Sequence, residues 1–304
     1  MGAVSLGYDI FLVDLHDSGF SKRTGSYIFH ESKKAIIETS ASPSIPYLLK
    51  GLKELEIDPD EIEYIIVTHI HLDHSGGAGL FLTYCPNAKI IVHPKGARHL
   101  SDPTRLIASA KTVYGENFTE LFDPILPVPA DRIIEMEDGG TIDLGGRILS
   151  FIHTPGHANH HFSIYDEKSN GIFTGDTAGI RYAQLADEGE AFYLPTTSPN
   201  QFNPDEMKKS IKTMMSYHPD RIYFGHYGMS DEPEEAMAMV LEWLDFFMDT
   251  AENTESVEEL SETLLEKIKQ FLTKKEIPLH HPVYDILKVD MDICSQGIML
   301  YLKK

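Results

Sequence analysis

Three histidines and an aspartate, His69, His71, Asp73 and His74, fall within six residues. Imidazole and carboxylate at this density are donors for zinc, iron, manganese or nickel. A lone His-x-His pair is common on surfaces, whereas His-x-His-x-Asp-His is a much stricter pattern. Four groups so close in sequence cannot easily surround one ion, so metal chemistry requires further donors. Three later stretches offer them: His153-Thr154-Pro155-Gly156-His157, Thr174-Gly175-Asp176-Thr177 and Gly225-His226. Each follows an apolar run (residues 148–152, 171–173 and 222–224). The first cluster likewise follows Ile65-Ile66-Val67 and precedes Gly76, Gly77 and Gly79. An apolar run reads as a buried strand, and small residues at its end mark a turn. Each alone has an ordinary reading as a turn or capping residue. Four strand ends in the same grammar point to one pocket where sheets open.

The elements that must position these groups follow from periodicity. Strands are predicted at residues 8–13, 26–29, 34–38, 62–68, 88–93, 132–134, 141–144, 148–152, 162–165 and 171–174, with residues 221–224 as the last. Helical spacing is predicted over residues 44–55, with Ile45, Leu48, Leu49, Leu52 and Leu55 on one face, and again near residues 80–84. Alternation stops over residues 94–129. There Asp102-Pro103 reads as a cap and first-turn proline opening a helix pair to residue 122 that carries Tyr114, Phe118 and Phe122. This segment is expected to be a lid beside the pocket. Asn203-Pro204 caps a helix to about residue 217. Residues 234–249, 257–272 and 283–300 read as three helices. The expected organisation is one body over residues 1–230 with the insertion at about 94–129, and a helical extension over 231–304 packed on it or on a second subunit.

Composition narrows the function classes. The chain has 304 residues, 42% of them hydrophobic, enough for a core. Its net charge of −21, from 47 acidic and 26 basic residues, disfavours nucleic acid and anionic membranes as partners. Much of the acid falls in residues 231–266, where solvated helix faces explain it. The cysteines, Cys85 and Cys294, form no CxxC and read as small buried residues rather than a disulfide framework. Neither a signal peptide nor an apolar run of spanning length is evident, so a cytoplasmic location is expected.

The motif order, from Thr68-His69-x-His71-x-Asp73-His74 through Thr154-Pro155-Gly156-His157 and Thr174-Gly175-Asp176 to Gly225-His226, resembles that of the metallo-β-lactamase-fold hydrolases, in particular the glyoxalase-II-like and lactonase-like branches. Glu38-Thr39 also looks like that family's early acidic-Thr turn, with Ser40 where a glycine is usual. The resemblance covers roughly residues 25–230 and implies an α+β fold, an αββα sandwich with two metals at one edge. Carried over, His69, His71 and His157 hold one ion, Asp73, His74 and His226 the other, and Asp176 bridges. The resemblance implies two divalent ions, zinc foremost with iron or manganese open. It also implies a bridging hydroxide that attacks an ester, lactone or thioester of a small molecule, with Asp73 doubling as a proton carrier. Tyr182 lies near where lactonase-like members place a carbonyl-binding tyrosine, although the spacing differs. His161, rather than His160, is the expected partner that fixes a ligand's tautomer. A phosphodiesterase or nuclease of the same fold, and a non-catalytic metal-binding sensor or interaction protein, remain open, as does a homodimer.

Overall fold

The structure, a computed structural model, describes residues 2–304. Seven strands form the first sheet in sequence order: β1 (Val4–Ser5), β2 (Ile10–Asp14), β3 (Gly25–Phe29), β4 (Lys34–Ile37), β5 (Ile62–Ile66), β6 (Lys89–Val92) and β7 (Ile133–Glu135). Pairing is antiparallel from β1 to β4 and parallel from β4 to β7. The second sheet contains β8 (Thr141–Asp143), β9 (Ile148–His153), β10 (Phe162–Asp166) and β11 (Gly171–Gly175). A separate two-stranded ribbon, β12 (Ile180–Arg181) with β13 (Tyr193–Leu194), follows. The chain then returns through β14 (Arg221–Phe224) and β15 (Met229–Ser230) to complete the second sheet in the order β15-β14-β11-β10-β9-β8.

Period-two alternation sorts the side chains into layers. Leu12, Tyr27, Phe29, Ile37, Ile66 and Ile91 point from the first sheet into one core with Phe151, Phe162, Phe173 and Tyr223 of the second. The Phe173 and Tyr223 rings stack there at 4.3 Å. The alternate residues, Val13, Ile28, Ile36, Ile65 and Ile90, face outward instead, onto α1 (Ile45–Glu54) and, past the short helix α2 (Leu72–Ser75), onto α3 (Ala78–Leu82). On the second sheet Ile172, Ile222 and Phe224 face the opposite way, onto a separate helical layer. Two sheets face to face with a helical layer outside each make an αββα sandwich.

The insertion differs from its sequence reading in one respect. It holds one further helix, α4 (Pro94–Ser101), before the expected pair, which is α5 (Thr104–Tyr114) and α6 (Phe118–Phe122). Pro94 supplies a first-turn proline to α4, and Nδ1 of His93 accepts the Lys95 N–H as the cap. Asp102 accepts from the N–H and hydroxyl of Thr104 at the start of α5. Helix α7 (Pro204–Met215) starts where Asn203 accepts from the N–H groups of Asp205 and Glu206. A cap of this kind contributes about 1 kcal/mol.

The C-terminal helices α8 (Pro233–Ala251), α9 (Val257–Lys274) and α10 (Val283–Leu302) share one core with α7 and the β12–β13 ribbon through Val240, Leu244, Leu264, Leu287 and Ile298. Strand β15 corrects the expectation that residues 221–224 are the last strand. It is two residues long, and no periodicity can be read from two residues. Among the described residues no helix is long and apolar enough to cross a membrane.

Candidate metal centre

All the polar strand ends open at one edge of the sandwich. Strand β5 ends at Ile66, and the turn after it places His69 and His71 before α2, which carries Asp73 and His74. The β9–β10 connection brings His157, the end of β11 brings Asp176, and the end of β14 brings His226. Gly156 has φ +130°, and a β-carbon there would lie 2.3 Å from the Met207 backbone. Only glycine lets this turn lie against α7, where the Pro155 carbonyl accepts from Ser210 Oγ at 2.6 Å and the Gly156 carbonyl from Asn203 N at 2.7 Å.

The seven candidate donors converge in overlapping groups, His69–His71–His157, His69–His74–Asp176 and Asp73–His74–His226, with donor atoms within 4.8 Å of one another in each. His71 Nδ1 lies 3.0 Å from His69 Nε2 and 2.8 Å from His157 Nε2. Asp176 Oδ1 lies 3.0 Å from His74 Nε2, and its Oδ2 lies 3.4 Å from His226 Nε2 and 3.6 Å from His157 Nε2. Asp73 Oδ2 is 3.7 Å from both His74 Nε2 and His226 Nε2. Asp176 therefore stands between the two halves of the cluster.

Outer groups fix the rings. His157 Nδ1 donates to the Thr196 carbonyl at 3.2 Å, which leaves the Nε2 lone pair facing the cluster. His69 Nδ1 is 3.0 Å from Thr68 Oγ1. His161 Nε2 accepts the Asp176 N–H at 3.1 Å, so this ring orients the central carboxylate from behind. Glu38, at φ +70°, accepts the Thr68 N–H through Oε1 and turns Oε2 to 3.4 Å from His74 Nδ1.

Burial and neighbouring imidazoles hold His69 well below its usual value, and burial foremost brings His71 down to about 3. Burial opposes charge on His74 as well, but Asp176, Asp73 and Glu38 together push it well above the usual value. Burial works against the Asp176 carboxylate, yet His74, His226 and His157 hold it well below the usual range. Both His74 nitrogens, Asp176 Oδ1, Glu38 Oε2 and His226 Nδ1 are buried and lack hydrogen-bond geometry to any partner. Burying such atoms unsatisfied is costly. Of these atoms His74 Nε2 and Asp176 Oδ1 face the cluster, where nitrogen and oxygen lone pairs that meet without a hydrogen bond fit divalent ions, and the donor set suits zinc, iron or manganese.

The cluster forms one wall of a cavity of about 290 Å³. Helix α5 runs along it with Arg105, Leu106, Ala110, Val113 and Tyr114, and α10 adds Asp290, Ile293 and Cys294. Tyr114 thus comes to the cavity from the lid. Tyr182 does not: it is buried, it is not among the cavity-lining residues, and its hydroxyl donates to Asp290 Oδ2 at 2.9 Å. The β12–β13 ribbon turns its ring inward against Phe192. Cys294 is a free cysteine on the cavity wall, with burial pushing its thiol up to about 12. Sequence reasoning missed Arg23, Asp290 and the part α10 plays in the cavity. Single charged residues on a loop and a helix carry no local signal of it.

The family model described as the metallo-beta-lactamase superfamily matches residues 23–226. The chain is similar to the metallo-beta-lactamase fold-containing protein ST1585 of Sulfurisphaera tokodaii, at 30% identity over 56% of this chain and 62% of the relative. It is also 30% identical, over 56% of this chain and 38% of the relative, to the uncharacterized protein MJ0732 of Methanocaldococcus jannaschii. A hydroxyacylglutathione hydrolase of Francisella tularensis subsp. novicida is 27% identical over 52% of this chain and 48% of its own length. The alignments thus span less than two thirds of these relatives. Among solved structures, that of ST1585, described as an archaeal metallo-beta-lactamase superfamily protein, superposes with a TM-score of 0.68 at 25% identity, covering 95% of this chain and 97% of that one.

Proposed function

The chain belongs to the metallo-beta-lactamase superfamily, and on that premise we propose that it is a dinuclear metal-dependent hydrolase of a small-molecule ester, lactone or thioester. The observation that carries this reading is the position of Asp176, whose two oxygens face His74 on one side and His157 and His226 on the other. His69, His71 and His157 would hold one ion, Asp73, His74 and His226 the second, and Asp176 would touch both. When bound, a pair of divalent ions supplies hydroxide near neutral pH and polarises a carbonyl oxygen.

The chain's own residues do the rest. Thr68, Thr196 and Glu38 set ring orientations, and His161 sets that of Asp176. Asp73 lines the cavity and is partly exposed, so a carboxylate oxygen can receive or return a proton at the reacting centre. Helix α5 covers the cavity with Leu106, Ala110 and Val113 and excludes water from an apolar acyl group. Similarity to a hydroxyacylglutathione hydrolase supports a thioester among the candidates.

The test is metal analysis of the purified protein coupled to a panel of esters, lactones, thioesters and phosphodiesters. Two equivalents of metal with turnover of an acyl substrate supports the reading. Bound metal with no bond hydrolysed anywhere in the panel points to a metal-binding sensor and sinks it, and preference for phosphodiesters moves the protein to that branch.

A further inference from the structure

After β13 the chain crosses residues 195–198 on its way to α7. On one side this crossing meets the metal centre, where the Thr196 carbonyl accepts the Nδ1–H of His157 at 3.2 Å. On the other side it meets α10. The Thr197 hydroxyl donates at 2.9 Å to the carbonyl of Cys294, 97 positions later in the chain. The Cys294 sulfur accepts the Thr197 N–H at 3.5 Å, and its S–H donates to the Pro195 carbonyl at 3.8 Å. One thiol therefore brackets Thr196 through the residue before it and the residue after it. Thr197 and Cys294 are both buried. Gly297, one turn further along α10, makes room for the contact: a β-carbon there would stand 1.6 Å from the Thr197 carbonyl oxygen.

A histidine ligand depends on the bond made by its second ring nitrogen. That bond sets which nitrogen keeps the lone pair and where the ring points. For His157 it ends on the Thr196 carbonyl, and the peptide groups around Thr196 are held by α10. Building on the reading that His69, His71 and His157 hold one ion, we propose that α10 sets the affinity of that metal position, with Thr197 and Cys294 as positioning residues that act on His157 through the Thr196 carbonyl. The effect falls on one ion of the two. In the other donor group, Asp73, His74 and His226, the outer nitrogen of His74 faces Glu38 at 3.4 Å, on a different part of the chain. Burial pushes the Cys294 thiol up to about 12, so at neutral pH it stays protonated and keeps its donor. The free cysteine thus has a use that needs neither a disulfide nor a nucleophile.

The experiment is stepwise zinc binding by the full-length protein in competition with a chromophoric chelator, for the unaltered chain, Thr197→Val, Thr197→Ser and Cys294→Ala. Thr197→Val keeps the branched shape and removes the hydroxyl, so affinity should fall about tenfold in one binding step and hold in the other. Thr197→Ser keeps the hydroxyl and should restore that step. Hydrogen bonds to sulfur are weak, so Cys294→Ala should lower the same step about two- to fivefold, and it carries the test if Thr197→Val does not fold. Thermal midpoints of the metal-free variants establish folding. In a His157→Ala background the step is already lost, and adding Thr197→Val should change nothing further. Equal loss in both steps, Thr197→Ser no better than Thr197→Val, affinities untouched by both Thr197→Val and Cys294→Ala, or a full additional loss in the His157→Ala background overturns the proposal. Unaltered protein that takes up fewer than two equivalents instead removes the two-ion reading, and the proposal falls with it.

Discussion

The backbone N–H of Asp176 donates to His161 Nε2 at 3.1 Å, and the opposite ring nitrogen of His161 lies 3.0 Å from Thr154 Oγ1. Because Nε2 accepts, Nδ1 carries the proton and donates to Thr154, whose hydroxyl is 2.9 Å from Ser163 Oγ. A neutral imidazole thus ties the central carboxylate to the β9 and β10 strands. Replacing it by His161→Ala leaves every candidate ligand in place but frees the Asp176 backbone. Metal affinity should fall about 10–100-fold, the range for removing a partner of this kind. Competition against a chromophoric chelator measures it, and an unchanged affinity would show that His161 is only a packing residue.

The glycine before Asp176 is tested separately. Gly175 has φ +49°, and a β-carbon on it would stand 2.4 Å from His161 Nε2 and 2.7 Å from Thr68 Oγ1. Those two side chains orient Asp176 and His69. Gly175→Ala should cost about 1–3 kcal/mol of stability through overpacking and weaken metal binding as well. Gly146, at φ +107° with nothing within 4 Å of its added carbon, is the matched control for backbone strain alone. Its alanine variant should keep full metal affinity in the same titration. Equal behaviour of the two variants would remove the steric argument.

The strand-end grammar was legible because each donor follows its own strand within a few residues, so local order alone gathers the donors on one edge. The α/β layering was legible for the same reason, as in Tyr27 and Phe29 alternating with Ile28. Tyr182 misled because sequence distance from Asp176 says nothing about which way a ribbon turns; its ring faces Phe192 and its hydroxyl Asp290. The Arg23–Asp290 pair joins residues 267 positions apart, so nothing local in the sequence announces it. Helix α4 was missed because its cap is a histidine, His93, outside the usual Ser, Thr, Asp and Asn set.

Stability of the metal-free protein should depend on pH with a definite sign. Burial foremost holds His69, His93, His157, His160 and His161 below the usual histidine value, His93 at about 4, and brings His71 to about 3. These rings are neutral when folded and take up protons on unfolding below about pH 6.5. The unfolded chain then binds more protons, so this stability is present above that pH and is lost as pH falls toward the folded values. His74 and His226 are raised, chiefly by Asp176 against burial, and act in the opposite sense. With His99 also lowered, chiefly by burial, seven lowered rings stand against two raised ones. Chelator-treated protein should show a lower urea midpoint near pH 5 than near pH 7.5; a midpoint that rises toward pH 5 would contradict the buried neutral histidines.

Metal removal at neutral pH should itself destabilise the fold, and Asp176 decides by how much. His74 Nε2 and Asp176 Oδ1 face the cluster and are buried without hydrogen bonds, so on the proposed reading the folded chain would bind ions that the unfolded chain cannot gather. Binding at about a thousand times the dissociation constant adds roughly 4 kcal/mol. For a chain of this size that corresponds to a thermal midpoint shift on the order of 10 °C. Asp176→Asn keeps the shape but removes the charge and one acceptor between the two halves of the cluster, where the oxygens lie 3.0 Å from His74 and 3.4 Å from His226. The variant should retain at most one equivalent of metal, and chelator should move its midpoint much less than that of the unaltered protein. Scanning calorimetry with and without chelator, alongside metal analysis, reads both quantities. Two retained equivalents in the variant would mean that Asp176 does not join the two ions.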